Sequence, residues 1–125
     1  MINYPIGDFL IQLKNARLAN VKEVSVKKTK FIKEVAELLK KEGYLNSVEE
    51  KDGNLVVSLK HHKKSPVILN IKLVSKPGLR SYMSTRELSA KRGASTFIVS
   101  TPKGVMTTKS AIKSGAGGEI IAEIL

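Results

Sequence analysis

The sequence predicts an α+β fold: an N-terminal helix and sheet lobe packed against a small, mostly β C-terminal lobe that carries one short helix. Two observations lead there. Long apolar stripes at helical spacing are confined to the first 42 residues, and the rest of the chain is a succession of short β-prone runs separated by turn signals. Strands and helices therefore do not alternate along the chain, as a doubly wound sheet would require. At 125 residues the chain is one domain or two small lobes, and the patterning divides it at 1–75 and 76–125.

Pro5 suits the first position of a helix whose stripe is Phe9, Leu10, Leu13 and Leu18, with Lys14, Asn15 and Arg17 towards its end. Ser25 and Val26 close a short extended piece. A second helix is predicted from about Thr29 to Glu42, with Phe31, Ile32, Val35, Leu38 and Leu39 on one face and Gly43 as its stop. Lys27, Lys28 and Lys30 crowd its start, the wrong end for cations by the dipole rule. Either an anionic ligand or ordinary surface chemistry accounts for them.

Asp52-Gly53 between Ser47–Lys51 and Leu55–Lys60 is a short hairpin signal. A basic loop, Lys60 to Pro66, leads to a third strand over Val67–Val74. Lys76-Pro77-Gly78-Leu79 has the proline-glycine order of a type II turn. Arg80, Tyr82, Arg86, Lys91 and Arg92 surround two short segments that return the chain to Ser95. From Ser95 to Ser100 a β-branched run reads as a strand, broken by Thr101-Pro102-Lys103-Gly104, which suits a type I turn. Val105 and Met106 resume the apolar line. Thr107 or Thr108 then caps a helix containing Lys109, Ala111, Ile112 and Lys113, stopped by Gly115. Glu119 to Leu125 is the last strand. On this reading hydroxyls, a bare turn, helix-start amides and lysines converge at one end of a small sheet, a set that holds phosphate and sugar oxygens.

Net charge is +11 and unevenly placed. Residues 1–50 carry nine Lys and Arg against seven Asp and Glu, whereas residues 51–113 carry thirteen against two. A one-sided basic surface is the electrostatic footprint of nucleic-acid binding. With no cysteine there are no disulfides, thiolate zinc sites or cysteine nucleophiles. Asp8, Gln12 and Lys14 interrupt any secretory apolar run, and no segment approaches a membrane span, so the sequence reads as soluble and intracellular.

Catalytic signatures fail on particular residues. Gly104 and Lys109-Ser110 lack the second glycine of a phosphate-binding loop. Ser100-Thr101-Pro102-Lys103 has the Ser-x-x-Lys spacing without its partner motifs. Arg92-Gly93 precedes Phe97-Ile98-Val99, but Ala94 and Thr96 replace the stacking aromatics of an RNA-recognition motif. Gly115-Ala116-Gly117-Gly118 fits a KH-type G-x-x-G, yet a strand and not a helix is expected after it. His61 and His62 have no third ligand at useful spacing. The reading is of a non-enzyme without cofactor, metal or small-molecule substrate. The rivals are a free-standing nucleic-acid-binding regulator using the same surface, and a transfer enzyme built on Ser100, which lacks a base.

Four ordered motifs resemble those of the bacterial-type eighth protein of the small ribosomal subunit. Ser100 to Thr107 is similar to its Ser-Thr-Ser-x-Gly-Val-Met-Thr run, and Lys113 to Glu119 to its Lys-x-Gly-x-Gly-Gly-Glu. Ser75 to Tyr82 resembles Ser-Lys-Pro-Gly-Leu-Arg-x-Tyr, and Pro5-Ile6-Gly7-Asp8 with Lys14-Asn15-Ala16 resembles the family's opening. The resemblance implies a structural constituent of the ribosome that binds the central domain of small-subunit ribosomal RNA, supports assembly and touches neighbouring ribosomal proteins. The location implied is the cytoplasmic small subunit or an organellar one. It places RNA contacts at Ser100, Thr101, Lys103 and Gly104, with Tyr82, Gly117, Gly118 and Glu119 beside them and Lys14, Asn15 and Lys30 as weaker contacts. Lys76, Arg80 and Lys109 would add charge. Pro102 stands where the family has a second serine, Tyr4 where an aspartate caps the first helix, and the chain ends without the usual aromatic.

Overall fold

The computed structural model describes residues 4–59, 61–62, 65–66, 70–91 and 95–124. It has helices and antiparallel sheets, an α+β architecture, and falls into two compact units, Pro5–Leu69 and Met1–Tyr4 with Asn70–Leu125.

In the first unit, helix α1 (Pro5–Leu18) buries Ile6, Phe9, Leu10, Leu13 and Ala16. Leu18, expected in that stripe, is 65% exposed. Five residues past Leu13 it is turned well away from the buried line at 100° per residue, and Ala16 closes the stripe instead. Strand β1 (Glu23–Lys27) precedes α2 (Lys30–Lys41). Thr29 caps α2 by accepting a hydrogen bond from the Ile32 N–H at 3.1 Å, and Ile32, Val35, Ala36 and Leu39 are buried. Strands β2 (Leu45–Lys51) and β3 (Asn54–Leu59) form the expected hairpin, with Lys51 opposite Asn54 across Asp52-Gly53. The sheet order is β1-β3-β2, all antiparallel. Central β3 accordingly buries Leu55, Val57 and Leu59. Strands β4 (His61–His62) and β5 (Ser65–Pro66) pair as a short ladder in the segment that reads from sequence as a basic loop.

Of the third strand expected over Val67–Val74, residues 67–69 lie outside the described residues, as do Lys60, Lys63, Lys64, Arg92, Gly93, Ala94 and Leu125. Its remainder is β6 (Ile71–Leu73), in the second unit. The chain continues through β7 (Tyr82–Met83), α3 (Thr85–Ala90), β8 (Thr96–Thr101), β9 (Gly104–Thr107), α4 (Thr108–Ser114) and β10 (Gly118–Ile124). Ser84 and Glu87 form a reciprocal capping box on α3. The sheet order is β6-β10-β8-β9, and β7 also pairs with β10. The edge of β10 opposite β8 thus serves two short strands, β7 at residues 118–119 and β6 at 122–124. Beneath α3 and α4 lies a core of Leu88, Phe97, Val99, Ala111 and Ile120, with Val74, Met83, Met106 and Ile112 packed against it. A bulge between Ile120 and Ala122 adds a residue to β10 opposite β8.

Candidate nucleic-acid interface

Four strands of the second unit carry one row of side chains. Tyr82 pairs with Glu119, Glu119 with Ser100, and Ser100 with Val105. Directly opposed residues point to the same face, so Tyr82, Glu119, Ser100 and Val105 stand side by side across the sheet. Phe97 and Val99 enter the core, and strand alternation turns Ser100 to the other face. Tyr82 is 66% exposed. The Ser100 hydroxyl has no hydrogen-bond partner among the described residues and is open to a ligand.

The end of this row is closed by a two-residue connection, Pro102-Lys103, with Thr101 opposite Gly104. Thr101 is 8% exposed. Its hydroxyl donates to the Gly104 carbonyl at 2.8 Å and accepts from the Lys103 N–H at 3.1 Å. The donor and one acceptor lone pair of Thr101 thus serve the turn. Gly117 and Gly118 seat β10 against this hairpin. A β-carbon on Gly118 would overlap the Ser100 carbonyl oxygen, and one on Gly117 would overlap that of Met83. These glycines act through close backbone approach.

On the far side of Glu119 lies the segment 75–81. The Lys76–Leu79 turn is closed by Leu79 N–H to Lys76 carbonyl and Lys76 N–H to Leu79 carbonyl bonds, each 2.9 Å, with Gly78 at φ +79° as a type II turn requires. Buried Ser75 ties its two ends together, accepting from the Ser81 N–H at 2.9 Å and donating to the Ser81 carbonyl at 3.3 Å. Arg80 donates to Glu119 at 3.2 Å and lies over the Tyr4 ring, 5.1 Å from its centroid. Tyr4 in turn donates to the Ser75 carbonyl at 3.1 Å. Burial pushes the Tyr4 phenol above its ordinary pKa; Arg80 opposes that shift and Glu119 adds to it. The residue standing in place of a helix-capping aspartate is therefore part of the Arg80 support. Nothing in sequence spacing signals a contact across 71 residues, nor the pairing of Arg80 with Glu119.

One expectation is reversed. The start of α4 does not face the 101–104 turn. Thr107 caps it, accepting from the Ser110 N–H at 3.3 Å, while the Thr108 hydroxyl accepts from the Phe97 N–H at 2.8 Å, at the opposite end of β8. It is the end of α4 that reaches the turn, where the Lys103 ammonium donates to the Ser114 carbonyl at 3.1 Å. The physical reason is the length of β9. After the tight turn this strand runs back along β8 before the helix begins, so helix-start amides and Lys109 lie away from the turn. A cation at the carbonyl end of a helix is favourable, which explains Lys103.

The structure thus assembles Tyr82, Ser100, Thr101, Lys103, Gly104, Gly117, Gly118, Glu119 and Arg80 in one region, with Lys76 on the adjoining turn. Lys14, Asn15 and Lys30 belong to the other unit. Lys14 and Asn15 lie on α1, and Lys30 is the first residue of α2. The crowded start of α2 has an internal anion: Glu50 on β2 pairs with Lys28 at 3.1 Å and with Lys33. Hydrogen bonding to these lysines lowers the Glu50 pKa, and Glu50 raises that of Lys33. Among the described residues no helix is long and apolar enough to cross a membrane.

The family model for ribosomal protein S8 matches residues 4–125. The chain is 42% identical over 125 residues to small ribosomal subunit protein uS8 of Nitratidesulfovibrio vulgaris, covering 99% of each chain. It is 41% identical to the uS8 protein of Cereibacter sphaeroides over 98% of each chain, and 43% identical to that of Wolbachia pipientis over 95% of each. The chain belongs to the ribosomal protein S8 family, a structural family of the small ribosomal subunit and not a family of enzymes.

Proposed function

We propose that this chain is built into the small subunit of the cytoplasmic ribosome, where it binds the central domain of small-subunit ribosomal RNA directly and supports assembly beside neighbouring ribosomal proteins. The observation that carries the reading is the row Tyr82–Glu119–Ser100 ending in the Thr101–Gly104 turn. An A-form helix offers a shallow minor groove of 2′-hydroxyls and base edges. Ser100 is short and has an uncommitted hydroxyl, so the strand can approach such a surface closely. Tyr82 presents a ring face to a base or ribose. The Glu119 carboxylate, held by Arg80, has an oxygen left to accept from a 2′-hydroxyl or an exocyclic amine. Lys103, Lys76 and Arg80 take phosphates and set affinity without reading sequence. Lys14, Asn15 and Lys30 add weaker contacts from the other unit, and Lys109 contributes only to the general field.

Binding of the purified protein to an in vitro small-subunit ribosomal RNA transcript, across a salt series, tests this. Ser100→Ala is expected to weaken binding about tenfold with the salt slope unchanged, through loss of a hydrogen bond at a dry contact. Lys103→Glu is expected to weaken binding to all RNAs and flatten the slope by about one. Wild-type affinity in both variants would remove the row from the interface.

A further inference from the structure

We infer that Leu79 is a wedge that packs against an unpaired or bulged nucleotide of the bound RNA, with Lys76 and Arg80 taking the phosphates on either side. The inference rests on the RNA-binding function proposed for this chain and adds a contact of a different chemical kind to it. Leu79 is 70% exposed, an uncovered large apolar side chain on an otherwise basic turn. Exposure alone would mean little, but its setting is not that of a slack surface loop. Two reciprocal backbone bonds close the turn, Pro77 fixes one backbone angle, and Gly78 takes the left-handed conformation. Ser75 locks the base of the loop through both polar atoms of Ser81. Arg80 is held from two sides, by Glu119 and by the Tyr4 ring. The Leu79 side chain is therefore presented on a pre-ordered platform, which reduces the ordering cost of making a contact with it.

The flanking chemistry selects the occupant. From Ser75 to Tyr82 the chain holds two cations and no carboxylate, and the nearby acid, Glu119, is already engaged by Arg80. A turn that carries one exposed aliphatic side chain, bridge-paired with Lys76 and followed in the chain by Arg80, matches a nucleotide, whose apolar base face is flanked by anionic phosphates. Regular A-form helix offers no such face, because its bases are stacked; a bulge, loop or irregular pair does. Apolar side chains wedged against unstacked bases are an established way of reading nucleic-acid shape. Through Arg80 and Glu119 the turn is continuous with the Tyr82–Glu119–Ser100 row, so one RNA can meet both.

The test compares wild type, Leu79→Ser, Leu79→Met and Lys103→Glu for binding to an in vitro small-subunit ribosomal RNA transcript, with 2′-hydroxyl acylation read at every nucleotide. Leu79→Ser is expected to lose about tenfold in affinity at an unchanged salt slope, since apolar area and no counterion is involved. One or two nucleotides protected by wild type should become reactive, and Leu79→Met should stay within about twofold of wild type because it conserves volume and apolarity. Circular dichroism and urea midpoints of Leu79→Ser should match wild type, as the side chain is exposed. Equal affinity and an equal footprint for Leu79→Ser would overturn the wedge. So would unchanged RNA binding with weakened incorporation into subunits, which would assign Leu79 to a protein neighbour. If Lys103→Glu weakens binding while Leu79→Ser does not, the wedge fails alone; if wild type does not bind the transcript, the proposed RNA-binding function fails with it.

Discussion

At Gly118 a single added β-carbon collides with the backbone carbonyl of Ser100, and neither partner is a flexible side chain that can move aside. Gly118→Ala should therefore destabilise the fold by about 2 kcal/mol or more, read as a lower urea midpoint, within the usual range for overpacking; an unchanged midpoint would show that β10 and β8 are not held this closely. Thr101 offers a second test. Its hydroxyl closes the turn by donating to Gly104 and accepting from Lys103, so Thr101→Val should cost about 1 to 3 kcal/mol and Thr101→Ser much less, judged by urea denaturation. Equal stability of the two variants would contradict that role. Both residues were legible in the sequence as members of family motifs, but not what each does. The Gly-Gly pair reads as a loop touching RNA; the structure adds a steric demand for glycine at both positions. Thr101 reads as an RNA ligand; that its hydroxyl also closes the turn was not legible. Sequence spacing carries no information on which strand lies against a glycine.

Helix α4 shows what local pattern can and cannot give. Its cap, apolar positions and glycine stop were all legible, yet its direction relative to the 101–104 turn was not, because that depends on β9 pairing along its whole length with β8. Thr108→Val should leave the buried Phe97 N–H without an acceptor and cost about 1 to 3 kcal/mol. Thr107→Ala, the cap, should cost about 1 kcal/mol. Thermal melts of the two variants that match wild type would rule out this anchoring of the helix start. For α2, sequence located the helix and its lysine-rich start but not Glu50, which comes from a strand and answers Lys28 and Lys33. The Glu50 pKa is lowered from 4.5 in the folded protein. A lowered carboxyl pKa stabilises the fold above the unfolded value, and that contribution is lost as pH falls through the folded value. The difference in urea midpoint between wild type and Glu50→Gln should thus shrink on acidification below about pH 4.5 and with added salt, because the pair is exposed. A difference independent of pH would exclude the ion pairs as its cause.

Across the whole molecule, the net charge of +11 and the S8 family motifs give the same functional reading by independent routes. Charge points only to a polyanionic partner; the motifs and the cross-strand row support the proposal of where it would lie. The α+β architecture was legible because the long helical stripes stop near residue 42 and turn signals punctuate the rest. The pairing of Ile71–Leu73 into the sheet of the second unit was not legible, since a short apolar run does not specify its partner strand. We propose that RNA is held on the Tyr82–Glu119–Ser100 face and its adjoining turns. Ultraviolet crosslinking of the protein to a small-subunit ribosomal RNA transcript, with mass spectrometry of the crosslinked peptides, addresses it most directly. Nucleotide adducts are expected on peptides containing Tyr82 and residues 100–104. Adducts confined to the lysines around the start of α2, with the Tyr82 and Lys103 peptides unmodified, would contradict it.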